Sequence, residues 1–424
     1  MILTKSAGTL SGEEFLSGLN RSLVSWVVYD IANTAFYLGV VGLFLPLWIN
    51  QRRGTTDADL GFPIALSMLI VLLISPFLGA LTDQLKSRIK TFTLLNILAA
   101  CSIFLIGWSD NIHVGLSFFC IAFVSVYLAE LIYNALLVDT STEENRGRIG
   151  GIATGLGYLG ALVAISAAIL YKGGDQTSYS LEFQFIAGIF IITALPITFL
   201  FIERRFSNNT YSVQNSVFKS TWIQIVHTWD YFQQYPNLKR FFIARYFYMV
   251  AVTTASSFAV MYGIKTIGFT ETQVKVIMLS GTVISIPSAI LWGFIVDKIG
   301  SALALKWNLL SWSAVLTCAF VIPWLDLNTI LWWPLAVITG LTFGGLWIAD
   351  RPLLIQLSPA NIGEMFGLYG TVSRLAFLTG AFAWPLIAVT WNPMGLGQIP
   401  AVMFLVICTV TGLLLLITIK KPAN

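Results

Sequence analysis

The 424-residue sequence predicts an all-α integral membrane fold, with twelve transmembrane helices in two pseudo-symmetric six-helix halves. Three observations lead there. Hydrophobic residues make up 57% of the chain and charged residues 10%, against about 25% charged in soluble domains, and mean hydropathy is +0.80. Apolar stretches of the roughly 17 to 25 residues that a spanning helix needs recur along the whole chain. Short glycine and aspartate patterns repeat at an offset close to half the chain length.

The stretches run approximately over residues 22–49, 61–82, 92–109, 113–138, 148–171, 183–203, 241–264, 273–296, 303–323, 330–350, 362–389 and 399–419. The first is long and lacks a small-residue cleavage site, so it reads as a retained helix. All but seven of the 24 Lys and Arg fall in segments on the side of the N-terminus. The exceptions are Arg52, Arg53, Lys172, Lys265 and Lys275 in the opposite loops, and Arg245 and Arg374 within spans. The positive-inside rule then puts both termini in the cytoplasm. Residues 204–240 mix Trp222, Ile223, Val226, Trp229 and Phe232 with polar residues, as a helix lying on the inner leaflet would. They are expected to link an N-terminal half, 1–203, to a C-terminal half, 241–424.

The same composition excludes several function classes. Four cysteines lie in apolar runs, so neither a disulfide framework nor a CxxC metal site can be assembled. His113 and His227 sit at membrane edges or in a loop, which leaves little for histidine-based acid–base or metal chemistry. No basic block suggests nucleic acid. No GxxxxGK[ST] loop is present, so ATP is not the expected energy source. Gly155-x-Gly157-x-x-Gly160 has the form of a dinucleotide fingerprint, yet it lies inside an apolar helix, where small residues serve close packing. No cofactor or metal is implied, and an enzyme is not expected.

Gly79-x-x-x-Asp83 follows helix 2, and Gly293-x-x-x-Asp297 follows helix 8, at an offset of 214. Gly147, Arg148 and Gly151 at the start of helix 5 correspond to Gly363, Glu364 and Gly367 at the start of helix 11, at an offset of 216. Two parallel halves of this kind are the plan of major facilitator transporters, which place their substrate between the halves at the midplane. A carboxylate at such a turn is stabilised by the dipole of a facing helix N-terminus. Asp83 is expected to latch the start of helix 11, and Asp297 the start of helix 5 with Arg146 and Arg148.

Two longer segments carry a more specific likeness. Helix 1 reads Trp26-Val-Val-Tyr29-Asp30-Ile-Ala32-Asn33-Thr34-Ala35-Phe36, and the helix 4 to 5 junction reads Tyr133-Asn134-Ala-Leu-Leu-Val-Asp139-Thr-Ser-Thr-Glu-Glu-Asn145-Arg146-Gly147-Arg148. With Ala244-Arg245-Tyr246-x-Tyr248, Gly344-Gly345, Asp350-Arg351 and Glu364-Met365-Phe366-Gly367-Leu368-Tyr369, they resemble the autophagy-related vacuolar effluxer family and its bacterial relatives, over nearly the whole chain. The chain departs from that pattern at Gln84 and Lys86 in the first turn, and at Val250 and Thr253 in helix 7. The resemblance implies an amino acid as cargo.

Ionisable groups inside spans are costly and mark functional candidates. Asp30 on helix 1 and Glu130 on helix 4 both fall about 12 to 14 Å from the inner face. Two carboxylates at one depth in low dielectric suit proton carriage. Asn33 and Asn134 are the neighbouring amides. Arg374 lies roughly 18 Å deep on helix 11, where its planar fork suits a substrate carboxylate. Arg245, taken as one turn inside helix 7, is expected to snorkel to headgroups. A carboxylate facing an ammonium and Arg374 facing a carboxylate form a site for a zwitterion.

The sequence thus points to a secondary transporter of a small solute, an amino acid above all, working by alternating access and coupled to protons. Efflux of amphipathic compounds, or a receptor or scramblase on the same scaffold, are the competing readings. The expected partners are the bilayer, the solute and protons. The expected state is a monomer, in the plasma (inner) membrane if the source is bacterial.

Overall fold

The computed structural model describes residues 12–52, 54–84, 87–109, 111–140, 146–170, 179–202, 235–358, 362–392 and 395–419. At 12–20, 76, 79–84, 137–139, 146–151, 170 and 362–364 only the backbone is described. Among these residues twelve helices have the length and hydropathy to cross a membrane. The first, α1, is a continuous rod of Gly12–Thr34, a π-helical stretch Ala35–Phe44, and Leu45–Asn50. The first half continues with α2 (Ala58–Gln84), α3 (Arg88–Ile106), α4 (Ile112–Thr140), α5 (Arg146–Leu170) and α6 (Ser180–Leu200). The second comprises α7 (Pro236–Lys265), α8 (Glu271–Ile299), α9 (Ser301–Trp324), α10 (Thr329–Leu357), α11 (Ile362–Trp391) and α12 (Ile399–Ile417).

The packing repeats. In the first half α1 packs on α5 and α6, α3 on α4 and α6, and α2 on α4. Raising each number by six gives the second half, where α7 packs on α11 and α12, α9 on α10 and α12, and α8 on α10. The halves meet along α2 with α11 and α5 with α8, two seams that exchange under the same rule. Side chains such as Leu94, Ile192, Phe199, Phe294 and Leu414 are exposed on the outside of the bundle, as a hydrocarbon-facing surface requires.

Two helices differ from the sequence expectation. α7 begins at Pro236, whose fixed φ suits the first turn, so 236–240 belong to the helix rather than to a linker. The remaining stretch, 203–234, with its aromatic residues, lies outside the described residues. α10 is built of Thr329–Leu331, Trp332–Phe343 and Leu346–Leu357. It runs past Arg351, which the charge pattern assigns to a loop, because Leu353, Leu354 and Leu357 continue its buried face. It is also broken at Gly344–Gly345, and the carbonyls released there are taken up by neighbours. Ser285 donates to Gly340 O at 3.1 Å, Trp292 Nε1 to Leu341 O at 2.8 Å, and Asn308 Nδ2 to Thr342 O at 2.8 Å. In hydrocarbon every such group needs a partner, which explains polar residues on α8 and α9 facing this break. Trp48, which the span ends suggest as an interfacial anchor, is instead buried edge-on against Phe183.

Candidate functional site

The site is built from α1 outward. Gly157 and Gly160 of α5 lie directly against α1. A Cβ on Gly157 would stand 2.7 Å from Asp30 Oδ2 and 2.8 Å from Thr34 Oγ1, and one on Gly160 would collide with the Ile31 carbonyl. Gly155 has open space around it. The fingerprint-like spacing is therefore a packing seam, and it sets Asp30 into the wall between α1 and α5. Asn33 lies beside the Asp30 carboxylate, is buried, and keeps its Oδ1 without a hydrogen-bond partner.

The π-helical stretch follows immediately, and wide turns of this kind recur at functional sites. It carries Tyr37, whose hydroxyl donates to Glu130 Oε2 of α4 at 2.8 Å. Tyr127, one turn before Glu130, packs edge-on to Tyr37 at 5.1 Å and stacks on Phe123 at 4.5 Å. Phe377 of α11 closes on this pair from the other half, 6.3 Å from Tyr127. Below, Trp26 stacks on Tyr133 at 4.5 Å and donates to the Tyr133 carbonyl at 3.0 Å. Asn134 is exposed, and among the described residues no hydrogen bond joins it to Glu130 or Asp30.

The second half contributes the opposite charge. Arg374, midway along α11, is near enough to act electrostatically on Glu130, Tyr37 and Tyr127. Arg351 of α10 acts on both Asp30 and Glu130 and lies beside Tyr369. The sequence pattern missed Arg351. Among the described residues neither arginine makes an ion pair within 4 Å of either carboxylate, so the opposite charges of the two halves act on one another without direct contact. Opposite charges held apart in this way, positive on one half and negative on the other, are complementary to a molecule carrying both.

Arg245 does not snorkel. With α7 starting at Pro236 it sits well inside the helix, 1% exposed, in an ion pair with Asp350 of α10 that is fully buried. Asp350 also accepts from Tyr248 at 2.8 Å and Tyr369 at 3.0 Å, and Arg245 donates to Ser373 at 2.8 Å. The guanidinium lies over the Tyr369 ring. This pair, in which Arg245 Nε alone keeps no partner, holds α7, α10 and α11 together and leaves Arg351 and Arg374 as the arginines facing the first half.

At the end of the bundle away from the N-terminus, a second polar cluster joins the halves. Asp57, in the α1–α2 loop and 5% exposed, pairs with Lys265 at 3.0 Å. It accepts from Trp384 Nε1 at 2.8 Å and Gln398 Nε2 at 2.5 Å. Gln398 in turn accepts from Thr266 at 2.8 Å. Beside it, Glu271 at the start of α8 accepts from Tyr179 at 2.5 Å and Gln51 at 3.3 Å. Next to the Glu271 carboxylate, burial pushes the Tyr179 hydroxyl pKa well up, so the phenol remains a donor. The halves are thus joined at this end by residues that sequence reasoning did not single out, since a loop aspartate carries no membrane cost to flag it.

The expected gating residues lie mostly at the other end. The side chains of Asp83, Arg146 and Arg148 lie outside the described residues, and Asp297 is exposed at the end of α8. A separate cavity of about 240 Å³ occupies the second half between α7, α8, α9, α10, α11 and α12, and Leu38 and Tyr158 of the first half complete its wall.

Comparison with known proteins agrees with this architecture. Residues 31–381 match the family model of the Major Facilitator Superfamily. An uncharacterized MFS-type transporter, YxiO of Bacillus subtilis (strain 168), is 24% identical over 419 residues, covering 94% of this chain and 95% of that protein. An uncharacterized protein of Aquifex aeolicus (strain VF5) is 28% identical over 176 residues, covering 41% of this chain and 43% of its own length. Among solved structures, a bacterial homologue of the human lysosomal transporter Spinster, inward-facing and unoccupied, superposes with a TM-score of 0.66 at 13% identity, covering 96% of this chain and 99% of that one. A mutant of the nucleoside transporter NupG gives 0.70 at 12% identity, covering 95% and 100%. At these identities the solved structures speak for the fold alone.

Proposed function

The chain belongs to the Major Facilitator Superfamily and is a membrane transporter, and on that premise we propose that it moves a small zwitterionic solute, an amino acid above all, by alternating access. One observation carries the reading: Arg351 of the second half acts electrostatically on Asp30 and Glu130 of the first, and Arg374 on Glu130, without an ion pair, and the solute is placed in a gap between them. A solute ammonium would sit against the carboxylates and its carboxylate in the fork of Arg374, drawing the halves together. Glu130, with Tyr37 as its donor, is the proposed proton carrier, with Asp30 as its neighbour. Asn33, with a free acceptor, would receive a further ammonium hydrogen. Asn134 lies one turn from Glu130 on α4 and would meet the solute at the mouth of the gap.

The likeness to the autophagy-related effluxers supports an amino acid as cargo, and the lysine and arginine bias supports cytoplasmic termini. At the cytoplasmic end, Asp83 and Asp297 with Arg146 and Arg148 are the proposed latches for the opposite access state. Efflux of an amphipathic compound is the second reading, favoured by the aromatic rings beside the charged gap. Ligand-induced thermal stabilisation of the purified protein across the twenty amino acids and several lipophilic cations separates the two. Stabilisation by an amino acid that disappears in Arg374→Ala is expected. Stabilisation by lipophilic cations alone, or by amino acids with no dependence on Arg374, would overturn the zwitterion site.

A further inference from the structure

We infer that the second-half cavity is a binding site for a compact, neutral, ring-containing lipophile, separate from the charged gap. At about 240 Å³ it is larger than the engineered apolar cavity of about 150 Å³ that takes up benzene, so a two-ring molecule matches its volume. Tyr262, Phe269, Trp312, Trp332, Phe343 and Trp384 line it, and no Asp, Glu, Lys, Arg or His is among its lining residues. Its serine and threonine hydroxyls are already engaged, and the indole N–H groups of Trp312 and Trp332 are its buried donors without a partner. Ser256 donates to Val252 O at 2.8 Å, Thr282 to Met278 O at 2.9 Å, Ser285 to Gly281 O at 2.8 Å, and Thr339 to Leu335 O at 2.7 Å. A charged or strongly hydrated guest would lose its water shell here with only two indole donors in its place, whereas a flat neutral ring with at most one polar atom exchanges water for aromatic walls and can meet one of those donors.

Two features tie the cavity to the access state. Leu38 and Tyr158 come from the first half, with Tyr158 edge-on to Phe343 at 6.4 Å, so the complete wall exists only in this arrangement of the halves. Trp384 lines the cavity and also donates to Asp57, so a guest packs against the ring that helps join the halves there. A ligand that meets its full wall in one state alone favours that state.

The test uses the full-length protein in nanodiscs with indole and 2-naphthol as neutral probes, indole-3-acetate as an anionic probe and tryptophan as a zwitterion, read by calorimetry. Ala259→Trp fills the cavity from an exposed position on α7, and Ala255→Leu does so more gently from the same face. The expected result is saturable binding of indole and 2-naphthol, unchanged in Arg374→Ala and weakened at least tenfold in the filling variant that folds, with no binding of indole-3-acetate in Arg374→Ala. Absence of saturable binding by the neutral probes, equal affinity in both filling variants, or loss of neutral-probe binding in Arg374→Ala would overturn the separate site. Tryptophan binding that depends on Arg374 while indole does not bind would leave the zwitterion reading standing and remove this one.

Discussion

Replacing Asp57 by alanine removes the acceptor on which the contacts joining the halves at the end away from the N-terminus converge. Two hydrogen bonds are lost from buried donors, Trp384 Nε1 at 2.8 Å and Gln398 Nε2 at 2.5 Å, along with the ion pair to Lys265, which is 28% exposed. Hydrogen bonds to a charged group contribute about 1.5 to 3 kcal/mol each, and a partly exposed ion pair about 0.5 kcal/mol after screening. Opening lets water reach the freed groups, so the lower ends apply, and they come to about 3.5 kcal/mol. At about 1.4 kcal/mol per tenfold this shifts the closed-to-open ratio by a factor of about 300. Trp384→Phe keeps the ring and removes one donor, and should move the ratio by about tenfold. Spin labels at Thr56 and Asn392, both exposed at this end on opposite halves, report the separation in vesicles. Asp57→Ala should lengthen the dominant distance, with Trp384→Phe between it and the parent. An unchanged distribution in Asp57→Ala would refute the cluster as a lock between the halves.

Three further outcomes follow from the packing. Asp350→Ala leaves Arg245 buried without its counter-ion and should lower thermal stability by about 3 to 5 kcal/mol, whereas a paired Arg245→Met, Asp350→Leu change should recover most of it, as read by thermal unfolding in detergent. Gly160→Leu should disrupt the α1–α5 seam and cut the yield of monodisperse protein, while Gly155→Ala should be silent in the same chromatogram. Tyr37→Phe removes the hydroxyl at Glu130 while keeping the ring. It should weaken solute binding by roughly tenfold, the lower end for a neutral donor to a carboxylate, and be measured as a shift in Kd.

The sequence carried the architecture because hydrophobic length is a direct read of bilayer thickness, and because duplication left Gly-x-x-x-Asp at matching places in both halves. It also carried Asp30, Glu130 and Arg374, since a charge inside an apolar run stands out against hydrocarbon. Arg351 was hidden by the same logic: coming after Asp350 at the end of an apolar run, it read as a loop charge, and only the burial of Leu353, Leu354 and Leu357 extends the helix past it. Arg245 was misjudged because its depth depended on where α7 starts, and Pro236 moves that start outward. Tyr37 and Tyr127 were illegible because aromatic residues in spans are common, and what singles them out is a wide helical turn that no local pattern announces. Asp57 could be found only by folding, since its partners Lys265, Trp384 and Gln398 lie more than two hundred residues away.

The most direct test of a bipolar site between the halves is uptake by proteoliposomes of the amino acid that best stabilises the protein, compared across the parent, Glu130→Gln and Arg374→Ala under an imposed proton gradient. The account predicts saturable uptake in the parent, loss of proton-driven accumulation with retained exchange in Glu130→Gln, and loss of both in Arg374→Ala. Uptake of equal affinity and rate in Arg374→Ala would contradict it.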